Sequence, residues 1–235
     1  MRYHALATDY DGTVAHDGVI DEPTWAALRR LRAGGRKLVM VTGRELDELL
    51  GLLPHADLFD RIVAENGALM YDPATKHVRV IAEEPPQKLI DRLWAEGVPI
   101  SVGRTIIATV QPYEHAVLDA IRDLGLEWHL SFNKGSVMAL PSGVTKATGL
   151  APALKELDLT PERVVGVGDA ENDHAFLNVC GCAVAVANAL PAVKERADLV
   201  TAGARGFGVT ELIDRILADD LEGLGRAPTG TPVKP

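Results

Sequence analysis

The chain has 235 residues, 47% hydrophobic and 24% charged, which excludes a disordered or low-complexity protein and suits one large domain or one domain with a smaller insertion. Its 24 Lys and Arg face 33 Asp and Glu, a net charge of −9 with no basic cluster, and this argues against nucleic acid and anionic membranes as partners. The same charge repels an anionic substrate, so any phosphate site must supply local positive charge of its own, and a bound metal ion is one source.

Tyr3–Thr8 reads as a short buried strand ending at Asp9. Glu22–Ala33 spaces Trp25, Leu28 and Leu31 for a helix, with Pro23 at its start and Gly34-Gly35 past its end. Lys37–Val41 is a second strand, stopping at Thr42-Gly43-Arg44. Glu45–Leu53 is a helix ended by Pro54, and Arg61–Ala64 a third strand running into Glu65-Asn66-Gly67. Pro85-Pro86 then breaks the chain. Gln87–Glu96 reads as a helix with Leu89, Ile90 and Leu93 as its apolar stripe, followed by strands over Val98–Val102 and Thr105–Val110 around a turn at Gly103-Arg104. The order repeats with a helix over Tyr113–Leu124 and strands over Glu127–Phe132 and Ser136–Leu140 flanking Asn133-Lys134-Gly135. Pro141-Ser142-Gly143 returns the chain to a helix over Ala147–Leu157, and the strand Arg163–Val167 delivers Gly168-Asp169. Cys182–Val186 and Asp198–Thr201 are short strands, and Cys180 and Cys182 read as buried free thiols rather than a disulfide or zinc site. The Gly-, Pro- and Thr-rich end predicts a loose tail over 219–235. No apolar run approaches the roughly 20 residues of a membrane span, and MRYHALATDYDGT does not read as a signal peptide. A soluble, cytoplasmic protein, monomeric or homodimeric, is expected.

The fold class is therefore α/β: a Rossmann-like parallel-sheet core at 1–82 and 142–218, with an inserted small α+β cap domain at 83–141. Ligands of such sheets bind beyond the carboxyl ends of the strands, where Asp9, Thr42 and Asp169 stand.

Asp9-Tyr10-Asp11-Gly12-Thr13 places two carboxylates two residues apart at a strand end. One can attack phosphorus and the other protonate a leaving oxygen; a plain Asp- and Gly-rich turn is the competing reading. Thr42 offers a hydroxyl to a phosphate oxygen, or else caps the next helix. Lys146 is a countercharge for phosphorus and the aspartates, or else a surface lysine. Gly168-Asp169-Ala170-Glu171-Asn172-Asp173 gathers hard oxygen ligands of the kind Mg²⁺ takes, and equally places acids at a helix start.

Taken in order, Asp9-x-Asp11-Gly-Thr, Thr42-Gly-Arg44, Lys146 and Gly168-Asp169-x-x-Asn172-Asp173 resemble the four motifs of haloacid dehalogenase-like phosphatases. Glu65-Asn66-Gly67-Ala68 and Ala187-Asn188-Ala189 further resemble the Cof-like branch, and the short insertion is similar to the cap of archaeal-type phosphoglycolate phosphatases. The resemblance implies a Mg²⁺-dependent phosphomonoester hydrolase acting on a small phosphorylated metabolite through an aspartyl phosphate. Asp9 would be nucleophile and metal ligand, and Asp11 general acid, then base, with its backbone carbonyl on the metal. Thr42 and Lys146 would hold the phosphoryl group, Asp169 would hold the metal through its side chain with Asp173 behind it or on a metal-bound water, and Asn172 would orient Lys146 or the phosphate. Gly43 and Asn66 would line the substrate site.

A phosphomutase of the phosphomannomutase type, or a non-catalytic phosphosugar-binding module, would use the same residues. No cap motif reads out a substrate. Arg104, His129, Asn133 and Lys134 are the cap's candidates, and the cations Arg104 and Lys134 are the ones expected to meet an anionic leaving group such as phosphoglycolate.

Overall fold

The computed structural model describes residues 1–224. In chain order the regular elements are β1 (Ala5–Thr8), α1 (Glu22–Ala33), β2 (Lys37–Val41), α2 (Leu46–Leu52), β3 (Arg61–Ala64), β4 (Leu69–Asp72) and β5 (His77–Val80). Then come α3 (Gln87–Ala95), β6 (Ser101–Val102), β7 (Ile107–Val110), α4 (Glu114–Asp123), β8 (Trp128–Asn133) and β9 (Ser136–Pro141). The chain closes with α5 (Lys146–Glu156), β10 (Val164–Gly168), α6 (His174–Val179), β11 (Cys182–Ala185), α7 (Pro191–Lys194), β12 (Leu199–Val200) and α8 (Arg205–Asp219).

The larger sheet runs β12-β11-β10-β1-β2-β3-β4-β5. Every pair from β12 to β3 is parallel, and the strands of β1, β2, β3 and β10 are almost wholly buried, as apolar strands covered on both faces must be. Thr8 stands opposite both Val167 and Met40, so the chain leaves β1, β2 and β10 at one level. That register brings Asp9, Thr42 and Asp169 to a common edge.

The sheet does not end at β3. An antiparallel meander, β4 and β5, extends it, a feature the sequence reading leaves unassigned. Its turn is formed by the Asp72 carboxylate, which accepts from the Ala74 N–H at 2.9 Å. Helix α8 is likewise unread, because Gly206, Gly208 and Val209-Thr210 give its first turns poor helix propensity. Its buried face, Val209, Leu212, Ile213 and Ile216, is what selects the helix, and it packs on α1. The first residues of the tail expected from 219 are held: Asp219 is the last residue of α8, Asp220 accepts from Arg36 Nη2 at 3.0 Å, and Leu221 is buried. Residues 225–235 of that expectation lie outside the described residues.

Between β5 and α5 the chain builds a second, wholly antiparallel sheet, ordered β6-β7-β9-β8. Leu89, Leu93, Val117, Ala120, Ile107 and Ala139 form a separate apolar cluster there. A small third cluster, Ala68, Ile106, Met138 and Leu140, joins residues of the two sheet systems. Both cysteines are buried and free. Among the described residues no helix is long and apolar enough to cross a membrane.

Helix α5 is seated by two local features. Thr145 caps it, accepting from the Thr148 N–H at 3.3 Å while the Thr148 hydroxyl accepts from the Thr145 N–H at 2.8 Å. Gly149 lies flat against Gly67, where a methyl group would come within 2.4 Å of Gly67 Cα and 2.6 Å of its carbonyl oxygen. Gly149→Ala should therefore force α5 off the loop and cost about 1–3 kcal/mol, a fall in Tm of roughly 2–12 °C for a chain of this size. Calorimetry checks this, and an unchanged Tm would mean that the helix does not depend on that contact.

Candidate active site

Lys146, the first residue of α5, carries a fully buried ammonium. It donates to Asp9 Oδ1 at 2.6 Å and to Asp173 Oδ1 at 2.6 Å, with the Phe176 ring 5.7 Å from Nζ. Asp9 itself is fixed by its N–H, which donates to the Val167 carbonyl at 3.0 Å, and so continues the β1–β10 ladder by one residue. The other oxygen of Asp173 accepts from the N–H groups of Asp169 at 2.7 Å and Ala170 at 2.9 Å, closing the turn after β10. Asp9 Oδ2 is buried and has no hydrogen-bond partner.

Asp169 is fully buried. Its Oδ1 accepts from the Thr13 hydroxyl at 3.2 Å, and its Oδ2 from Asn188 Nδ2 at 3.3 Å and from the Lys134 ammonium. Asn188 also donates to the Gly12 carbonyl at 2.7 Å, tying the loop after β1 to the loop after β11. Gly12 has φ +78°, and a methyl group there would lie 2.3 Å from Asp169 Oδ2, so only glycine fits both the backbone and the carboxylate.

Burial is the main influence on Asp9 and lifts its carboxyl pKa to about 8; the Asp173 charge adds to this, against the downward pull of Lys146. Burial also opposes the charge of Lys146, but Asp173 and Asp9 outweigh it and hold the ammonium above its usual range. The two directions fit one picture, in which a single ammonium is shared by two carboxylates and fully satisfies neither. Burial likewise raises the Asp169 carboxyl, partly opposed by its hydrogen bond from Lys134.

Carboxylate oxygens of Asp9, Asp169 and Asp173 lie within 4.8 Å of one another. Hard oxygen donors this close, one of them buried without a partner, fit a divalent cation. Asp11 is not in this cluster through its side chain: its carboxylate accepts from Arg44 Nε at 2.6 Å and Nη2 at 2.8 Å. Its hydrogen bond to Asp11 is the largest influence on Arg44 and raises the guanidinium pKa further.

Thr42 is buried, and its hydroxyl accepts from the Arg44 N–H at 3.1 Å. It does not cap α2, whose N-cap is Glu45. Gly43 faces Met138 of β9 and Asn172, each within 3.5 Å of where a side chain would begin. Asn66 joins three segments: its Nδ2 donates to Ser131 Oγ at 3.1 Å, and its Oδ1 accepts from Asn172 Nδ2 at 3.1 Å. Asn172 Oδ1 is a second buried polar atom without a partner.

The two hairpin cations part company. Lys134, at the β8–β9 hairpin tip, reaches Asp169, while its N–H donates to Glu171 at 3.1 Å. Arg104 sits elsewhere: its guanidinium is paired with Asp47 of α2 at 3.0 Å, and it lines neither cavity beside the cluster. Nothing in the sequence around Gly103-Arg104 marks that partner, 57 residues away along the chain. Asn133 lines a cavity of about 270 Å³ with Asp11, Gly43, Arg44, Ile106 and Met138. A second cavity, of about 400 Å³, lies between Ser131 and Phe132 of β8 and Glu171-Asn172. His129 lines neither. Thr13 and Arg44 were within reach of the sequence reading, since both belong to the quoted motifs, whereas nothing marked Ser131.

The described geometry has counterparts. The family model of the haloacid dehalogenase-like hydrolases matches residues 6–115 and 121–213. Phosphoglycolate phosphatase 2 of Saccharolobus solfataricus is 35% identical over 222 residues, which cover 91% of this chain and 92% of that one. Phosphoglycolate phosphatase of Methanothermobacter thermautotrophicus is 31% identical, covering 91% and 98%. Among solved structures, a haloacid dehalogenase-like hydrolase from Bacteroides thetaiotaomicron superposes with a TM-score of 0.79 at 21% identity, covering 91% of this chain and 99% of that one. A subclass IIB sugar phosphatase of the same superfamily superposes at 0.74 and 21% identity, covering 90% and 98%.

The raised pKa of Asp9 has a consequence for stability. Between the unfolded value and about 8 the unfolded chain has released this proton while the folded chain retains it, so folding stability falls as pH rises through that window. Without divalent metal, Asp9→Asn should therefore be more stable than wild type at pH 8, by about 1–2 kcal/mol, or roughly 2–8 °C in Tm. The gain should vanish near pH 4. Calorimetry at the two pH values decides it, and equal Tm values at pH 8 would count against a destabilising Asp9 charge.

Proposed function

The chain belongs to the haloacid dehalogenase-like hydrolases and is a phosphatase, and on that premise we propose that it cleaves a small phosphomonoester through covalent transfer of the phosphoryl group to Asp9. The observation that carries this reading is Asp9 itself: one oxygen is held by the buried Lys146, and the other is buried and unpartnered at the end of a central strand. A carboxylate fixed on one side and open on the other is oriented for attack.

In the proposed reaction Asp9 Oδ2 attacks phosphorus as the ester P–O bond breaks, and Asp11 gives a proton to the departing oxygen. Asp11 then takes a proton from water, whose oxygen attacks phosphorus and frees Asp9 with release of phosphate. Lys146 and the Thr42 hydroxyl hold the equatorial oxygens, and Asn172 orients them. Arg44 holds both oxygens of Asp11, so it must give up those bonds before Asp11 can carry a proton. An anionic leaving group in the adjoining cavity offers Arg44 another partner.

Asp9 and Asp169, with the Asp11 carbonyl and with Asp173 in support, would hold Mg²⁺, whose charge stabilises the transferring phosphoryl group when it is bound. The oxygen-only donor set supports magnesium over softer metals. We also propose that 83–141 is a cap domain, and that the 270 Å³ cavity between it and the Asp11 loop receives the leaving group. That volume is below the usual range of roughly 300–1,000 Å³ for ligand pockets. With the names of the relatives, it supports phosphoglycolate or a short sugar phosphate rather than a phosphoprotein or nucleotide.

Asp9→Asn should lower kcat to about a thousandth of wild type or less on every phosphate ester; retention of a tenth would remove Asp9 as nucleophile. A turnover screen of phosphoglycolate, short sugar phosphates and an aryl phosphate, scored by free phosphate, tests the substrate class and separates hydrolysis from a mutase or a binding module. A metal on Asp169 must compete with the Lys134 ammonium for Oδ2. Lys134→Met should therefore tighten Mg²⁺ binding several-fold by titration calorimetry, and weaker binding would overturn that competition.

A further inference from the structure

Glu65 is a buried carboxylate, 1% exposed, with no cationic partner among the described residues. Its hydrogen bonds all come from one turn of the antiparallel unit. The Arg104 N–H donates to Oε1 at 3.2 Å, while the Thr105 N–H and hydroxyl donate to Oε2 at 2.8 and 2.7 Å. Gly103 completes the cradle, since a methyl group there would lie 3.0 Å from Oε2. A buried charge without an ion pair is costly unless donors surround it. Here the donors belong to residues 104 and 105, and the carboxylate belongs to the loop after β3.

That loop is held just as firmly on its other side. Glu65 and Asn66 are consecutive non-glycine residues in left-handed backbone, φ 49° and 55°, an arrangement that costs on the order of 1–3 kcal/mol per residue. Their N–H groups donate to the carbonyls of Arg44 and Thr42, each at 2.9 Å. Asn66 spends its side chain on Ser131 and Asn172. Gly67, at φ 103°, lies so close to the Thr145 carbonyl that a methyl group would fall 2.0 Å from its oxygen. Three successive residues thus contact the first hairpin of the antiparallel unit, the second hairpin with Asn172, and the N-terminus of the helix bearing Lys146.

We propose that Glu65 is a positioning residue for the phosphatase reaction. Its carboxylate docks the 103–105 turn and thereby fixes the antiparallel unit in register with Thr42, Asn66 and Lys146. The strained backbone of residues 65 and 66 is what aims the carboxylate at the turn instead of at solvent. The role rests on the proposed phosphatase reading only where turnover is measured.

The test removes the contact from both sides. Glu65→Gln keeps the shape but replaces one acceptor oxygen with an amide N–H₂, Thr105→Val removes the hydroxyl, and Thr105→Ser keeps it. Amide hydrogen exchange in the wild-type, full-length protein should show 101–107 protected. Glu65→Gln and Thr105→Val should each raise exchange there about tenfold or more and leave β1, β2 and β3 unchanged. A charged hydrogen bond is worth about a tenfold effect or more, so kcat/KM should fall about tenfold in each variant. Thr105→Ser should stay within about twofold of wild type. The double variant Glu65→Gln/Thr105→Val should be no worse than either single one. Unchanged exchange at 101–107, a Thr105→Ser loss equal to that of Thr105→Val, or single losses that multiply to about a hundredfold would each overturn the role. If Glu65→Gln does not fold, the Val and Ser pair at Thr105 decides the matter from the other side. Absence of wild-type turnover on every ester would sink the phosphatase reading, and the exchange measurement would still judge the docking contact.

Discussion

A fully buried ammonium sits 2.6 Å from each of two carboxylates, and the geometry around the central strand end follows from it. The charge of Lys146 has left water and must be met by partners that are themselves buried. Asp9 and Asp173 meet it, and Asp173 is in turn held by two backbone N–H groups. The ammonium reaches that point because α5 begins at Lys146, its start set by the Thr145 cap and its approach by the Gly67–Gly149 contact. The loop after β3 is therefore part of the same constraint, although none of its side chains touches Lys146 in a hydrogen bond.

Much of this was legible from spacing. Apolar runs bounded by polar or turn residues set the limits of α1, β2 and β3, which bury their apolar residues and stop before Gly34, Thr42 and Glu65. The helix-strand-strand repeat read in the insertion is the order α3-β6-β7-α4-β8-β9. The convergence of Asp9, Lys146, Asp169 and Asp173 was expected from motif order and from where strands of a parallel sheet end. The β4–β5 meander was not read, since β5 is only four residues long and mostly exposed, too short for its Val78–Val80 alternation to stand out. Helix α8 escaped because its propensity opposes its packing, and packing won.

Partner choice across long sequence separations was the least legible feature. Arg104 and Lys134 are alike in sequence, each a cation at a hairpin turn, yet one pairs with Asp47 on the surface and the other with the buried Asp169. The choice depends on which core loop each hairpin lands on, and Glu65 settles the landing of the first hairpin. Glu65 stands in the Glu65-Asn66-Gly67-Ala68 run that resembles the Cof-like branch, yet that run names no partner for its carboxylate. Its burial and its left-handed backbone are tertiary facts with no local signal.

The local charge completes the argument that began with a net charge of −9. At the strand ends, the four carboxylates of Asp9, Asp11, Asp169 and Asp173 face three cations, Arg44, Lys134 and Lys146. Each cation is already committed to one or two of those acids, so four negative against three positive charges leave the cluster at −1 when all are ionised. Such a cluster does not attract a phosphate dianion in a low-dielectric setting. A divalent cation among Asp9, Asp169 and Asp173 would turn that balance to +1 and would supply a partner for the one carboxylate oxygen that lacks it. The unpaired oxygen of Asp9 and the charge deficit are thus two expressions of the same physical incompleteness, and both point to the same ligand.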